Sequence, residues 1–146
     1  MIKNEQRAAG RIKEISSTAN PIIKDIRLLE KKRHREQTNQ FIAEGMKLVI
    51  DAIEQGWHLR TLIFAASQKH NPNVEKLAAN CVAKGVDVLI VPEKVLGAIT
   101  RRDNPQMVVG IFSRQFIEPP QIRTSGEDLW IALDRIRDPG NLGTIM

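Results

Sequence analysis

The segment Asp134-Arg135-Ile136-Arg137-Asp138-Pro139-Gly140-Asn141-Leu142-Gly143-Thr144 concentrates residue types that build ligand sites: carboxylates, a carboxamide and glycines, placed directly behind the apolar run Leu129-Trp130-Ile131-Ala132-Leu133. A strand that runs into a turn-rich loop and then a helix start puts the loop at the carboxyl edge of a sheet, where open α/β folds bind ligands. Pro139-Gly140 makes the turn, Asn141 is placed to cap the next helix, and Gly143 allows a close backbone approach. The loop is not a phosphate loop, since a Lys-Ser/Thr ending is missing. An ordinary strand-to-helix turn fits the same residues. A second group is cationic: Lys24, Arg27, Lys31 and Arg35 recur at helical spacing, and Arg101-Arg102 add a pair. A row of cations can track a phosphate backbone, whose released counterions supply much of the binding free energy. A solvated helix face and loop is the alternative. His34, His58 and His70 have no ligand spacing, and Cys81 is the single cysteine, so neither an intrachain disulfide nor a cysteine-built metal site is available.

The elements that must position these residues read as follows. Residues 1–16 have no clear period and suggest a mobile basic arm. Asn20-Pro21 reads as an N-cap and first helical position, opening one helix from about Pro21 to His34 that buries Ile22, Ile26 and Leu29 opposite the cationic row. Short strands at Gln40 to Ala43, Leu59 to Phe64, Val86 to Val91 and Met107 to Phe112 alternate with helices that carry Met46, Val49, Ile50 and Ile53, then Val74, Leu77, Ala78 and Cys81, then Val95, Leu96 and Ile99. Gly56 and Gly85 end the first two of these helices. Alternation of this kind predicts parallel pairing in a three-layer α/β/α sandwich over residues 17–114. Residues 115–128, with Pro119-Pro120 and Gly126, read as a linker. Residues 129–146 read as a strand, a loop and the start of a helix at Leu142; these are not a domain, and a continuation past Met146 is expected.

The chain has 146 residues, a net charge of +5 and no apolar run approaching the ~20 residues of a membrane helix. The charge is segregated. Ten Lys/Arg against five Asp/Glu lie before Gln40, and the remainder is balanced at twelve of each. A basic quarter on a neutral chain points to a polyanionic partner, nucleic acid first. Glu44-Gly45 reads as a strand-to-helix turn or a functional pair, Trp57 as a core anchor, and Trp130 as a residue without packing partners.

The stretch from Ala132 to Ile145 closely resembles the first sequence motif of the SpoU (TrmH-like) family of RNA methyltransferases, of the SPOUT class. Asn20-Pro21-Ile22-Ile23-Lys24, Phe41-Ile42-Ala43-Glu44-Gly45 and Arg102-Asp103-Asn104-Pro105-Gln106 are similar to segments of the substrate-binding domain that precedes it in many members. Met107 stands where the family often has Gly. The resemblance implies a sandwich like that of certain large-subunit ribosomal proteins, followed by the first strand and turn of a knotted catalytic domain that works as a homodimer. It implies an S-adenosylmethionine-dependent ribose 2′-O-methyltransferase acting on RNA, rRNA before tRNA; separately, the lone Cys81, the polar N-terminus and the lack of a membrane-length apolar run point to the cytoplasm and to no membrane. It places Asn141, with Asp138, Pro139, Gly140 and Gly143, in the active-site loop. The family's catalytic Arg would follow Met146, and the two motifs that hold S-adenosylmethionine are not in this sequence, so the chain alone is expected neither to bind the cofactor tightly nor to transfer methyl groups. In such an enzyme the 2′-hydroxyl is a weak nucleophile, and alignment with the methyl carbon supplies most of the rate effect, with help from a positioned base. A stand-alone RNA-binding module is the second hypothesis. A nucleotide-binding protein is a weaker third, for want of a Gly-rich phosphate loop or paired acidic metal ligands.

Overall fold

In the computed structural model, residues 9–146 are described. They divide into two compact units that part between Gln115 and Phe116. The first is built on a five-stranded sheet: β1 (Ile12–Glu14), β2 (Gln40–Glu44), β3 (Leu59–Ala65), β4 (Asp87–Val91) and β5 (Val108–Ser113), in the order β1-β4-β3-β5-β2. Its helices are α1 (Pro21–Leu28), α2 (Lys32–Thr38), α3 (Met46–Glu54), α4 (Pro72–Ala83) and α5 (Glu93–Thr100).

Strand alternation makes the sheet apolar on both faces. Ile63, Ala65, Leu89, Val91, Val109 and Ile111 pack with Ile23, Ile26 and Leu29 around α1 and with Val95, Leu96 and Ile99 of α5. Leu62, Phe64, Val88, Ile90, Val108 and Phe112 pack on the other side with Val49 of α3 and Val74, Ala78 and Cys81 of α4. Successive residues of a strand point to opposite faces, so a strand covered on both sides must be a continuous apolar run. The result is a three-layer α/β/α sandwich.

Four expectations are corrected. The sheet is mixed rather than all parallel: β4 pairs in parallel with β1 and β3, but β5 runs antiparallel to both β3 and β2. The single helix from Pro21 to His34 is two helices. Lys31 adopts an extended conformation between them (φ −77, ψ 127), and α2 then closes on a left-handed Asn39 (φ 53). With α1 rotated accordingly, Ile23 is fully buried and Ile22, expected inside, is 40% exposed. The basic arm is not free over its last part. Ile12, Lys13 and Glu14 pair with Val88, Leu89 and Ile90, and the Gly10 amide donates to the Val82 carbonyl at 2.9 Å. A Cβ on Gly10 would lie 2.0 Å from the Val86 carbonyl oxygen, so only glycine lets the chain enter the sheet there. Residues 1–8 lie outside the described residues. Finally, Leu129 to Leu133 do not form a strand. Among the described residues no strand pairs with them, and Leu129, Trp130 and Ile131 are exposed. The second unit otherwise holds a short turn at Pro119–Gln121 and the helix α6 (Pro139–Ile145).

Candidate functional site

The first group of side chains lies on α1 and the turn after it. The Asn20 carboxamide oxygen accepts from the Ile22 amide at 2.9 Å, and Pro21 takes the first helical position, so the helix starts at a fixed point. Burial of Ile23, Ile26 and Leu29 then fixes its rotation. Lys24 and Lys31 are left exposed and Arg27 half-buried. None of the three makes an ion pair among the described residues. The Arg27 Nε is shut off from solvent without a hydrogen-bond partner. Arg35, predicted to join this row, does not. Its guanidinium turns back and donates to the carbonyls of Leu29, at 3.0 Å, and Glu30. Those are two of the carbonyls that a continuing helix would have bonded, so Arg35 both explains the break and closes the end of α1.

The second group sits on the loop between α5 and β5. α5 ends on Arg101 in the left-handed conformation (φ 56). Gly97 permits the return of the chain, because a Cβ there would lie 3.1 Å from the Arg102 carbonyl oxygen. The Arg101 guanidinium pairs with Glu30, directly after α1. This pair links the turn after α1 to the turn that carries Arg101 and Arg102. Arg102 Nε lies 3.0 Å from Glu44 Oε2, while Glu44 Oε1 accepts from the Gln106 amide at 3.0 Å. The Gly45 amide donates to the Val108 carbonyl at 2.9 Å, and Gly45 has φ 112, a conformation that favours glycine. Thus Glu44-Gly45 and the segment from Arg102 to Gln106, read separately in the sequence, meet at one edge of the sheet. The role of Glu44 was not legible beforehand, since it depends on a contact across 62 positions.

The third group, on α6, is arranged differently from the sequence reading. The helix begins at Pro139, not Leu142, and Asp138 caps it by accepting from the Gly140 amide at 2.8 Å. Asn141 lies inside the first turn and Gly143 in the helix body, with nothing within 4 Å of a Cβ added at Gly143. Every residue from Gln115 to Met146 is exposed. Fully exposed, this segment by itself offers no enclosed surface for S-adenosylmethionine.

Other titratable groups have structural explanations. His34 Nε2 lies 3.1 Å from Asp25 Oδ1, joining α2 to α1, although the two are not aligned as a hydrogen bond. Among the described residues no group of three or more His, Cys, Asp or Glu is placed to hold a metal. Burial pushes the Cys81 thiol up to about 11, slightly offset by Lys84. The Asp87 carboxyl is held below its ordinary range, first by the Arg11 amide at 2.9 Å and then by the Lys13 ammonium at 3.1 Å; it ties β1 to β4. Trp57 is half-buried and meets Phe41 edge-on at 5.5 Å. No helix among the described residues is long and apolar enough to cross a membrane.

Comparison with known proteins adds an independent finding. The family described as MRM3-like substrate binding domain matches residues 20–110. The chain is 36% identical over 139 residues to an uncharacterized tRNA/rRNA methyltransferase of Synechocystis sp., covering 92% of this chain and 48% of that protein. It is 24% identical over 135 residues to the 23S rRNA (guanosine(2553)-2'-O)-methyltransferase RlmP of Bacillus subtilis, covering 92% of this chain and 49% of that one. The crystal structure of an AdoMet-bound rRNA methyltransferase from Sinorhizobium meliloti superimposes with a TM-score of 0.79 at 53% identity, over 92% of this chain and 49% of that one. The chain therefore spans about half the length of each of these relatives.

Proposed function

The chain belongs to the family of MRM3-like substrate binding domains, and on that premise we propose that it recognises rRNA as the RNA-binding portion of an S-adenosylmethionine-dependent rRNA ribose 2′-O-methyltransferase. The observation that supports the proposal is the Glu30–Arg101 pair, which ties the turn after α1, the helix that carries Lys24 and Arg27, to the Arg101-Arg102 turn. Exposed cations on a rigid sandwich bind phosphates without a folding cost, and the resulting affinity falls with salt. Arg35 is not among them because its guanidinium is committed to backbone carbonyls. Residues 129–146, with Asp138, Pro139, Gly140, Asn141 and Gly143, correspond in this reading to the opening of the catalytic domain, with Asn141 in its active-site loop. The same reading puts the protein in the cytoplasm, working as a homodimer, with tRNA as the alternative substrate.

The proposal is tested by titrating the 146-residue chain with an rRNA fragment and with DNA of the same sequence at several salt concentrations. Binding that prefers RNA and weakens with salt supports it; equal binding to DNA removes it, because discrimination by the 2′-hydroxyl is what the substrate requires. A stand-alone RNA-binding module is the second reading, favoured by the self-contained core of the first unit. An arginine and a glycine-rich loop encoded just beyond Met146 would exclude it.

A further inference from the structure

We propose that Glu44 is a positioning residue, which holds Arg102 by one nitrogen so that the rest of its guanidinium faces an RNA phosphate. This inference rests on the RNA-binding reading and assigns one contact within it. Both oxygens of the Glu44 carboxylate face partners: Oε2 lies 3.0 Å from Arg102 Nε as an ion pair, and Oε1 accepts a hydrogen bond from the Gln106 amide at 3.0 Å. The Glu44 side chain is only 15% exposed, whereas that of Arg102 is 64% exposed. A guanidinium carries five N–H donors in a rigid fork. With Nε beside the Glu44 carboxylate at ion-pair distance, the two terminal nitrogens are left for a planar, two-pronged contact, the geometry that suits a phosphate. The loop that carries Arg102 is also pinned at Gln106, so the fork sits on a fixed platform rather than a free side chain. Beside it the same loop and α5 form a polar groove of mixed charge, in which Lys94 and Arg101 stand with Glu93 and Asp103.

Bare charge counting predicts the opposite of this inference. It says that removing the Glu44 carboxylate from a cationic surface tightens RNA binding. The positioning role says that Glu44→Gln weakens it, since a carboxamide oxygen can still accept from the Gln106 amide but no longer anchors the guanidinium. The experiment is a titration of a fluorescently labelled rRNA fragment with the wild-type chain, Glu44→Gln, Arg102→Lys and the double variant, between 50 and 300 mM salt (approximate limits, chosen to span the steep region). Loss of one phosphate contact lowers the salt slope by ~0.7–0.9 and the affinity by about five- to ten-fold near 0.1 M salt. Glu44→Gln is expected to show that loss; Arg102→Lys, which keeps a point charge but not the fork, is expected to weaken binding with less change of slope, and the double variant is expected to lose no more affinity than the weaker single, because both act on the same contact. Arg102→Lys keeps the charge and, being on an exposed side chain, keeps the fold, so its weakening cannot come from unfolding. Unchanged or tighter binding by Glu44→Gln, full affinity in Arg102→Lys, or additive losses would overturn the positioning role. Failure of the wild-type chain to bind RNA would instead remove the underlying reading.

Discussion

Replacing Arg35 by alanine should cost stability and leave RNA affinity nearly intact. The side chain makes two hydrogen bonds to the carbonyls of Leu29 and Glu30, one of them partly buried. A hydrogen bond involving a charged group contributes ~1.5–3 kcal/mol when well shielded. Half-exposure of this pair argues for the lower end, and the carbonyls released at the end of α1 regain water, so the net loss should be about 1–2 kcal/mol. For a unit of this size that is a fall in Tm of roughly 4–8 °C, or a shift of about 0.5–1 M in the urea midpoint at an m-value of ~2 kcal/mol/M. Urea unfolding followed by circular dichroism measures it, with an RNA titration run on the same variant. Loss of stability with affinity unchanged within two-fold (about the scatter expected of a distant surface change) is the predicted pair of results. An unaltered midpoint with a lower salt slope would show that Arg35 binds phosphate and that the capping argument is wrong.

Three other outcomes follow from individual residues. A Cβ on Gly110 would lie 2.5 Å from the Phe112 ring and 3.0 Å from Leu59 Cδ1, so Gly110→Ala should displace the ring stacked on Phe41 and cost about 1–3 kcal/mol in urea unfolding; wild-type stability would mean that the ring has room to move. The Asp87 carboxyl titrates lower when folded than its ordinary value of 3.8, so its contribution is complete above that value and is lost as pH falls through the folded one. Hydrogen exchange of the β1 amides should therefore quicken in Asp87→Asn at neutral pH, and the wild type should approach the variant on acidification below about pH 3.8; indistinguishable exchange would detach Asp87 from the anchoring of β1. With its thiol raised to about 11, Cys81 should be a thiolate in roughly one molecule in a thousand at pH 8 and should react with Ellman's reagent only as fast as the unit opens, whereas rapid labelling would place it outside the core.

The parts of the fold written in local patterns were legible in the sequence. Asn71-Pro72 marks the start of α4, and the Asn71 carboxamide does accept from the Asn73 amide at 3.1 Å. The runs around Leu62, Leu89 and Val109 are apolar at every position because both faces are covered. The parts that depend on distant partners were not. The antiparallel direction of β5 is set by where α5 and its returning loop deliver the chain, and no period within Val108–Ser113 records it. The break between α1 and α2 falls among good helix formers, and only the reach of Arg35 back to Leu29 and Glu30 reveals it. β1 was missed because three residues with little pattern are held by Gly10 and Asp87 from outside. The apolar run at Leu129 to Leu133 shows the reverse case: strand-forming residues remain irregular where no strand is present to pair with them. At the candidate site the residue types were readable, but the meeting of Glu30 with Arg101 and of Glu44 with Arg102 was not.

The central claim is that the α1 face and the Arg101-Arg102 turn are the RNA-binding surface. The most direct measurement compares the salt dependence of rRNA-fragment binding by the wild-type chain with that of the variant Lys24→Ala, Arg27→Ala, Lys31→Ala. Three lost phosphate contacts should reduce the slope by roughly 2 and weaken binding by about a hundred-fold near 0.1 M salt, with the unfolding midpoint little changed because none of the three makes an ion pair among the described residues. Unchanged slope and affinity would contradict the account and move the RNA to another face of the sandwich.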